Sequence, residues 1–435
     1  MATLSAVTND TTPSNYRLEN LLLVMSGAFV IVNALALGLQ GIGGSLPIVH
    51  VMAWIVAAIG GAWFLRRHVP QHDPFLFPLV MFFSGWGVLL IDRLAPIFAE
   101  RQTVWLLLGV FALCVTASFP QLLRWLRQYR YLLLLLGLAL LVSTILLGRN
   151  PSGLIGAPEL WLGIGNVFFQ PSEALKIILV AFLASYLGEN AVSLRLTGRG
   201  WQQAWLSPRL IGPILLMWSL CVLVLVWQRD LGTAALFFAV FLILLYVASG
   251  QLWILATGIV LIGAAGVVAY FAFSVVQLRV DIWLNPWLEA DGRAYQVVQS
   301  LMAVANGGIF GQGIGQGAPT YIPVVHSDFV FSALAEEWGL LGVIVLLGGF
   351  AILLLRGMRV ATLHQSRPFY ALLAVGLTSS LGIQALLIMC GVLKLFPLTG
   401  VTLPFLSYGG SSLVMSFVMV GILLRLSSER TTDAI

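Results

Sequence analysis

Twelve apolar runs constrain this 435-residue chain more than any other feature, at about 20–40, 47–65, 76–92, 102–118, 131–148, 170–188, 210–227, 231–249, 253–275, 329–355, 369–393 and 406–426. At about 1.5 Å per helical residue, each crosses most or all of a hydrocarbon layer about 30 Å thick. In lipid, every backbone N–H and C=O needs an internal partner, so continuous runs of this length fold as helices. A β-barrel would need alternating residues instead. The expected fold is all-α, a polytopic membrane protein with about 12 transmembrane helices. Charged residues make up only 9% of the chain, against about 25% in soluble proteins. No soluble domain is visible.

The basic residues suggest an orientation. With the N-terminus placed inside, fourteen of the twenty-two fall on the inner side, seven on the outer side, and Lys176 lies within a run. That bias predicts cytoplasmic termini, since positively charged loops stay inside. The net charge of +5 is read as sidedness, with no nucleic-acid partner. Cys114, Cys221 and Cys390 sit in apolar runs, as buried free thiols do. No HExxH or Cys/His cluster is present, so no structural metal site is expected.

One stretch breaks the apolar pattern. Residues 280–339 hold six of the seventeen acids: Asp281, Glu289, Asp291, Asp328, Glu336 and Glu337. They fall in an outer loop after the ninth run and at the start of the tenth. The same loop carries Trp283, Trp287, Arg293, Tyr295, Gln296 and Gln299, a mix of carboxylate, aromatic and amide groups suited to glycan chemistry. A plain solvated loop is the bland alternative. Glu336 and Glu337 fall two to three turns into the next helix, where acids face a bundle interior or cavity. Ser327 or Asp328 is placed to cap that helix, and His326 just before it reads as a packing residue.

Other polar residues have structural readings as well as functional ones. Glu173 and Lys176 share a helix face at i,i+3 and should pair, either to fix packing or to wall a cavity. Asp230 is a good N-cap for the run beginning at 231, and Arg229 beside it faces outward. The three residues 228–230 leave room only for a tight hairpin between the seventh and eighth runs. The run GGIFGQGIGQG (307–317) lacks the GK[ST] of a phosphate loop and reads as close-packed backbone, though its amides could meet a phosphate. Segments 161–173 and 280–287 mix aromatic residues with Pro and read as interfacial or re-entrant. PLTGVTLPFLSYGGSS (397–412), with Ser407, opens the last helix as a bent outer segment.

Three of these segments together resemble the SEDS family, which includes RodA, FtsW and SpoVE: FQPSExxK (169–176), AYQxxQS…GGIFGQGIG…HSDFVFSALAEE (294–337) and PLTGVTLPFLSYGGSS (397–412). QRDLGTA (228–234) resembles the family's QPDLGTA, with Arg229 in place of Pro. The resemblance covers about 75–426 and implies a ten-helix core with the outer loop, 276–328, as its catalytic loop. Two further helices (19–70) precede it, and short tails, 1–18 and 427–435, flank the whole.

The resemblance implies a peptidoglycan glycosyltransferase in the bacterial cytoplasmic membrane, with its active site outside. It would polymerise lipid II beside a cognate class B penicillin-binding protein, amid membrane lipids, in elongation or division. The family's catalytic Asp lies in a segment resembling NPWxDPxGxxYQ. Here that segment reads NPWLEADGRAYQ, so register gives Glu289 and side-chain length gives Asp291. The candidate substrate-binding residues are Arg293, Tyr295, Gln296, Gln299, Arg229, Asp230, His326, Asp328, Lys394 and Ser407. No cofactor is required by these motifs, although a divalent cation (Mg or Mn) at the diphosphate is compatible with them. A lipid II flippase and a non-catalytic scaffold of the cell-wall machinery are the alternative readings.

Overall fold

The computed structural model describes residues 12–41, 47–150, 160–165, 167–197, 219 and 230–429. Among these, eleven helices are long and apolar enough to cross a membrane. They match eleven of the twelve apolar runs. The remaining run, 210–227, lies outside the described residues except for Ser219, as does the hairpin it would close.

In chain order the helices are α1 (Thr12–Leu39), α2 (Pro47–His68), α3 (Leu76–Leu94), α4 (Pro96–Ser118), α5 (Gln121–Gln128), α6 (Arg130–Leu147), α7 (Pro171–Thr197), α8 (Leu231–Ser249), α9 (Trp253–Ala272), α10 (Ser274–Leu284), α11 (Tyr295–Gly307), α12 (Val330–Leu363), α13 (Pro368–Val392) and α14 (Gly410–Ser428). Helix α1 begins within the stretch read as a tail. Between α6 and α7, the segment read as interfacial forms an antiparallel hairpin, β1 (Leu162–Ile164) with β2 (Val167–Phe169). The outer loop is largely helical. It contains α10, a 3₁₀ turn at Pro286–Glu289, and α11.

The helices sort into an inner and an outer set. The spans of α3 and α13 are 83% buried, whereas that of α9 is 11% buried, leaving α9 for lipid. Lipid tails are as apolar as leucine, so close approach of backbones does more here than hydrophobicity. A Cβ on Gly87 of α3 would sit 2.6 Å from the Phe405 carbonyl oxygen. The two N-terminal helices pack on α3 and α4. Trp54 Nε1 donates to the Met81 carbonyl at 2.9 Å, and Arg66 Nε donates to the buried carboxylate of Glu19 at 3.1 Å.

Helix α12 has 34 residues, about 51 Å of helix against a core of about 30 Å. It is broken at Gly339 (φ 61°, ψ −160°). The break orphans backbone groups at a membrane edge, where that is costly. The glycine-rich loop supplies the partners. Gln312 and Gly313 donate to the Glu336 and Glu337 carbonyls at 2.9 and 3.0 Å, while Leu340 and Leu341 donate to the Gly308 and Ile309 carbonyls at 2.9 and 3.2 Å. Such contact needs residues without side chains. Gly311 has φ +83°, and a Cβ there would lie 2.2 Å from the Glu337 carbonyl. Gly311→Ala is therefore expected to destabilise the fold by at least about 1–3 kcal/mol from backbone strain alone. Thermal unfolding in detergent measures it, and an unchanged midpoint would refute this account of the loop.

Candidate active site

Asp230 caps α8 as the sequence predicts. Its carboxylate accepts from Thr233 N at 3.1 Å and from the Thr233 hydroxyl at 2.8 Å. Gln170 Nε2 reaches the same carboxylate at 3.5 Å, at the limit of a hydrogen bond. One turn into α7, Lys176 Nζ lies 2.5 Å from Glu173 Oε2, as the i,i+3 spacing predicts. That is a charge contact rather than an aligned hydrogen bond. The ammonium gives its aligned bond to Gln384 Oε1 of α13 at 2.7 Å. Gln384 Nε2 donates in turn to the Thr402 carbonyl at 2.9 Å, and the Thr402 hydroxyl donates to Ser412 at 2.8 Å. Glu173, Lys176, Asp230 and Gln384 thus form one polar bed between α7, α8, α13 and the 397–412 segment.

The 397–412 segment ties this bed to the outer loop. A Cβ on Gly232 of α8 would lie 2.5 Å from the Thr399 carbonyl. That carbonyl accepts from Arg279 of α10 at 3.1 Å. Arg279 and Asp328 both border Gly400, whose φ is +73°. The structure thereby sets Asp328 beside Gly400 and the first turn of α8, which Asp230 caps, against the neighbouring Thr399. Surrounding protein pushes both carboxyls above their ordinary range; hydrogen bonds from Thr233 to Asp230, and from Ser327 to Asp328, oppose this.

Glu289, Asp291 and Arg293 sit further out. Asn285 caps the 3₁₀ turn, its side chain accepting from Trp287 N at 3.3 Å, and Pro286 occupies the first turn, where a missing N–H costs nothing. The turn presents Glu289 to Arg293 four residues on. Arg293 Nε donates to Glu289 Oε2 at 2.6 Å, and Nη2 donates to Oε1. This forked pair is exposed to solvent. Its hydrogen bonds hold the Glu289 carboxyl below the usual range, ahead of the simple charge attraction. Asp291 is exposed and makes no ion pair or side-chain hydrogen bond with the described residues. Tyr295, Gln296 and Gln299 lie half-exposed on the first turns of α11. Gln296 and Gln299 share a face.

One sequence expectation needs correction, and the remaining candidates sit as follows. Neither Ser327 nor Asp328 caps α12; its N-cap is Phe329, with no side-chain bond, because the Ser327 hydroxyl turns to Asp328 Oδ1 at 2.5 Å. Ser407 is buried as a backbone latch, donating to the Ser327 carbonyl at 2.6 Å and accepting from Leu403 N at 2.9 Å. His326 packs against Phe98 and Tyr408, and burial lowers its pKa. The Lys394 ammonium donates to the Leu284 carbonyl at 3.3 Å, from a left-handed backbone position (φ 59°). The amides of Gly315 and Ala318 meet the carboxylates of Glu337 and Glu336, both at 3.2 Å. Arg229 lies outside the described residues. No group of three His, Cys, Asp or Glu residues suited to a metal occurs among the described residues.

Residues 72–432 match the family model for FtsW, RodA and SpoVE, described as cell cycle protein. The chain belongs to this family. The peptidoglycan glycosyltransferase RodA of Mycobacterium tuberculosis is 37% identical over 374 residues, covering 83% of this chain and 79% of that one. A probable peptidoglycan glycosyltransferase FtsW of Geobacter sulfurreducens is 34% identical, over 81% and 92%. Crystalline RodA from Thermus thermophilus superposes with a TM-score of 0.59 at 27% identity, over 83% and 98%. A chain of a solved peptidoglycan synthase complex gives 0.68 at 27%, over 83% and 99%. Membership and the eleven spans make this a multi-pass membrane protein of the SEDS family.

Sequence reasoning missed Gln384, Thr402 and Arg279. A lone Gln inside the apolar run 369–393 was the available signal, since an amide in lipid needs a partner. Nothing in the sequence marks Arg279 as the partner of a turn 120 residues away.

Proposed function

We propose that this chain polymerises lipid II into peptidoglycan glycan strands by inverting transfer, releasing undecaprenyl diphosphate. The observation that carries the proposal is the 37% identity, across 83% of the chain, to relatives named peptidoglycan glycosyltransferase RodA. The reaction is attack by a sugar 4-hydroxyl on an anomeric carbon bearing diphosphate. The donor linkage is α and the product linkage β, so one displacement suffices. Diphosphate is a good leaving group that needs charge neutralisation more than protonation. One carboxylate base is then enough, where hydrolytic glycosidases use two.

Glu289 is the base by register, and Asp291, two residues on, is the competing base. Arg293 has a double role. At rest it pairs with Glu289; when diphosphate arrives, its planar fork suits phosphate oxygens equally well and frees the carboxylate. Tyr295, Gln296 and Gln299 offer the aromatic and amide contacts a glycan takes. A magnesium or manganese ion would draw most of its ligands from the diphosphate and water, with one or two carboxylates, which is compatible with the absence of a preformed cluster among the described residues. The site faces outward with both termini cytoplasmic, and the partner is a class B penicillin-binding protein. A chain from a peptidoglycan synthase complex among the structural neighbours supports a synthase partner.

The test is strand formation from labelled lipid II by the purified protein with its cognate transpeptidase, in detergent, where no sidedness exists. Strands are expected. Their absence under conditions where a related polymerase works would sink the proposal and leave a flippase or scaffold.

A second measurement separates the two bases. The rate needs an ionised carboxylate, so activity is present above the base's pKa and fades as pH falls through it. Arg293 holds Glu289 below the usual carboxylate range. Arg293→Gln is expected to raise that pKa toward its ordinary value and move the acid limb of the kcat/KM profile, which reports the enzyme before diphosphate binds, to higher pH. A limb that stays in place points to Asp291 instead.

A further inference from the structure

We propose that a cleft beneath α5, at the opposite membrane edge from the outer loop, binds the phosphate of an anionic phospholipid headgroup. Helix α5 joins the end of one span, Pro96–Ser118, to the start of the next, Arg130–Leu147. It therefore lies at a membrane boundary whichever side that boundary faces. Its sequence, QLLRWLRQ, is amphipathic. Leu123 and Leu126 are buried, whereas Arg124, Trp125 and Arg127 are exposed. An apolar face held down, a tryptophan at headgroup level and arginines on the polar face are the marks of a helix lying in the interface.

Beside it opens a cleft of about 300 Å³, lined by Arg124, Arg127, Gln128, Arg130, Tyr131 and Glu189. Arg130 is committed, pairing with Glu189 at 2.7 Å and donating to the Ser185 hydroxyl at 2.7 Å. Arg124 and Arg127 make no ion pair or side-chain hydrogen bond with the described residues. They stand three apart on one helix face. Three guanidiniums against one carboxylate leave the cleft at +2. The chain after Glu189 adds no counter-charge, since residues 190–229 contain four arginines and no acid. A membrane protein concentrates unpaired arginines at its boundary where phosphate is within reach, and the guanidinium fork fits phosphate oxygens in pairs. The cleft is at the lower end of the volume range of small-molecule sites, about 300–1,000 Å³, enough for a headgroup with its acyl chains left in the bilayer. None of these residues enters the proposed transfer reaction.

Native mass spectrometry of the full-length protein tests this, using micelles with equal phosphatidylglycerol and phosphatidylcholine. Wild type is expected to retain phosphatidylglycerol preferentially. R124Q/R127Q should lose at least about tenfold of that preference, the scale of one charge-assisted bond. R67Q/R359Q, which removes two exposed arginines elsewhere, should keep it. Equal loss in both double variants, or loss in neither, overturns the site. A third arm adds inorganic phosphate at the lipid's concentration. If it displaces phosphatidylglycerol, the cleft takes free phosphate and the lipid assignment fails.

Discussion

Glu289→Gln is expected to cut glycan-strand formation by about 10²–10⁴-fold, the usual share of a positioned general base. Asp291→Asn should cost far less if register decides the role, and the two effects exchange if side-chain length decides it. The substitutions are well suited to the question because both side chains are solvent-exposed and neither holds the fold. Each replaces a carboxylate with an amide of the same size, so thermal midpoints in detergent should stay close to wild type. A rate loss is then a loss of chemistry. The measurement is initial rate on labelled lipid II with the partner present, for wild type and both variants. If neither variant loses more than a few-fold, no carboxylate of this turn is the base.

The second large effect concerns stability. Lys176→Met is expected to destabilise the protein by about 3–5 kcal/mol, because breaking a buried ion pair leaves the other charge uncompensated. Glu173 and Lys176 are 7% and 3% exposed, so water cannot replace the lost partner. Gln384 Oε1 loses its donor as well. The double variant Glu173→Gln/Lys176→Met should recover most of the loss, since two neutral groups of similar volume are often tolerated where a lone charge is not. Thermal unfolding of the three variants in one detergent reads this directly. If the double variant is as unstable as Lys176→Met, the pair's role is not electrostatic.

The sequence by itself determined the helices. Continuous apolar runs admit one backbone solution in lipid, so eleven spans could be placed, most ends to within a few residues, although α4 starts at Pro96 rather than 102 and α12 runs on to Leu363 rather than 355. Local chemistry was equally legible: the Asp230 cap and the Glu173–Lys176 contact follow from spacings of three residues, which a helix converts into proximity. The clustering of acids in 280–339 also marked the loop that carries the candidate base. Only the tertiary structure decided what those groups meet. Ser407, a substrate-binding candidate, is latched to the Ser327 carbonyl. Glu336 and Glu337, expected to face a bundle interior or a cavity, are buried and hold the glycine-rich loop whose backbone satisfies the break at Gly339. Gln384 became the partner of Lys176 across 208 residues of chain. The physical reason is the same in each case. Within a helix, periodicity fixes neighbours; between helices, backbone approach and buried polar pairing choose them, and neither is written in the spacing of one segment.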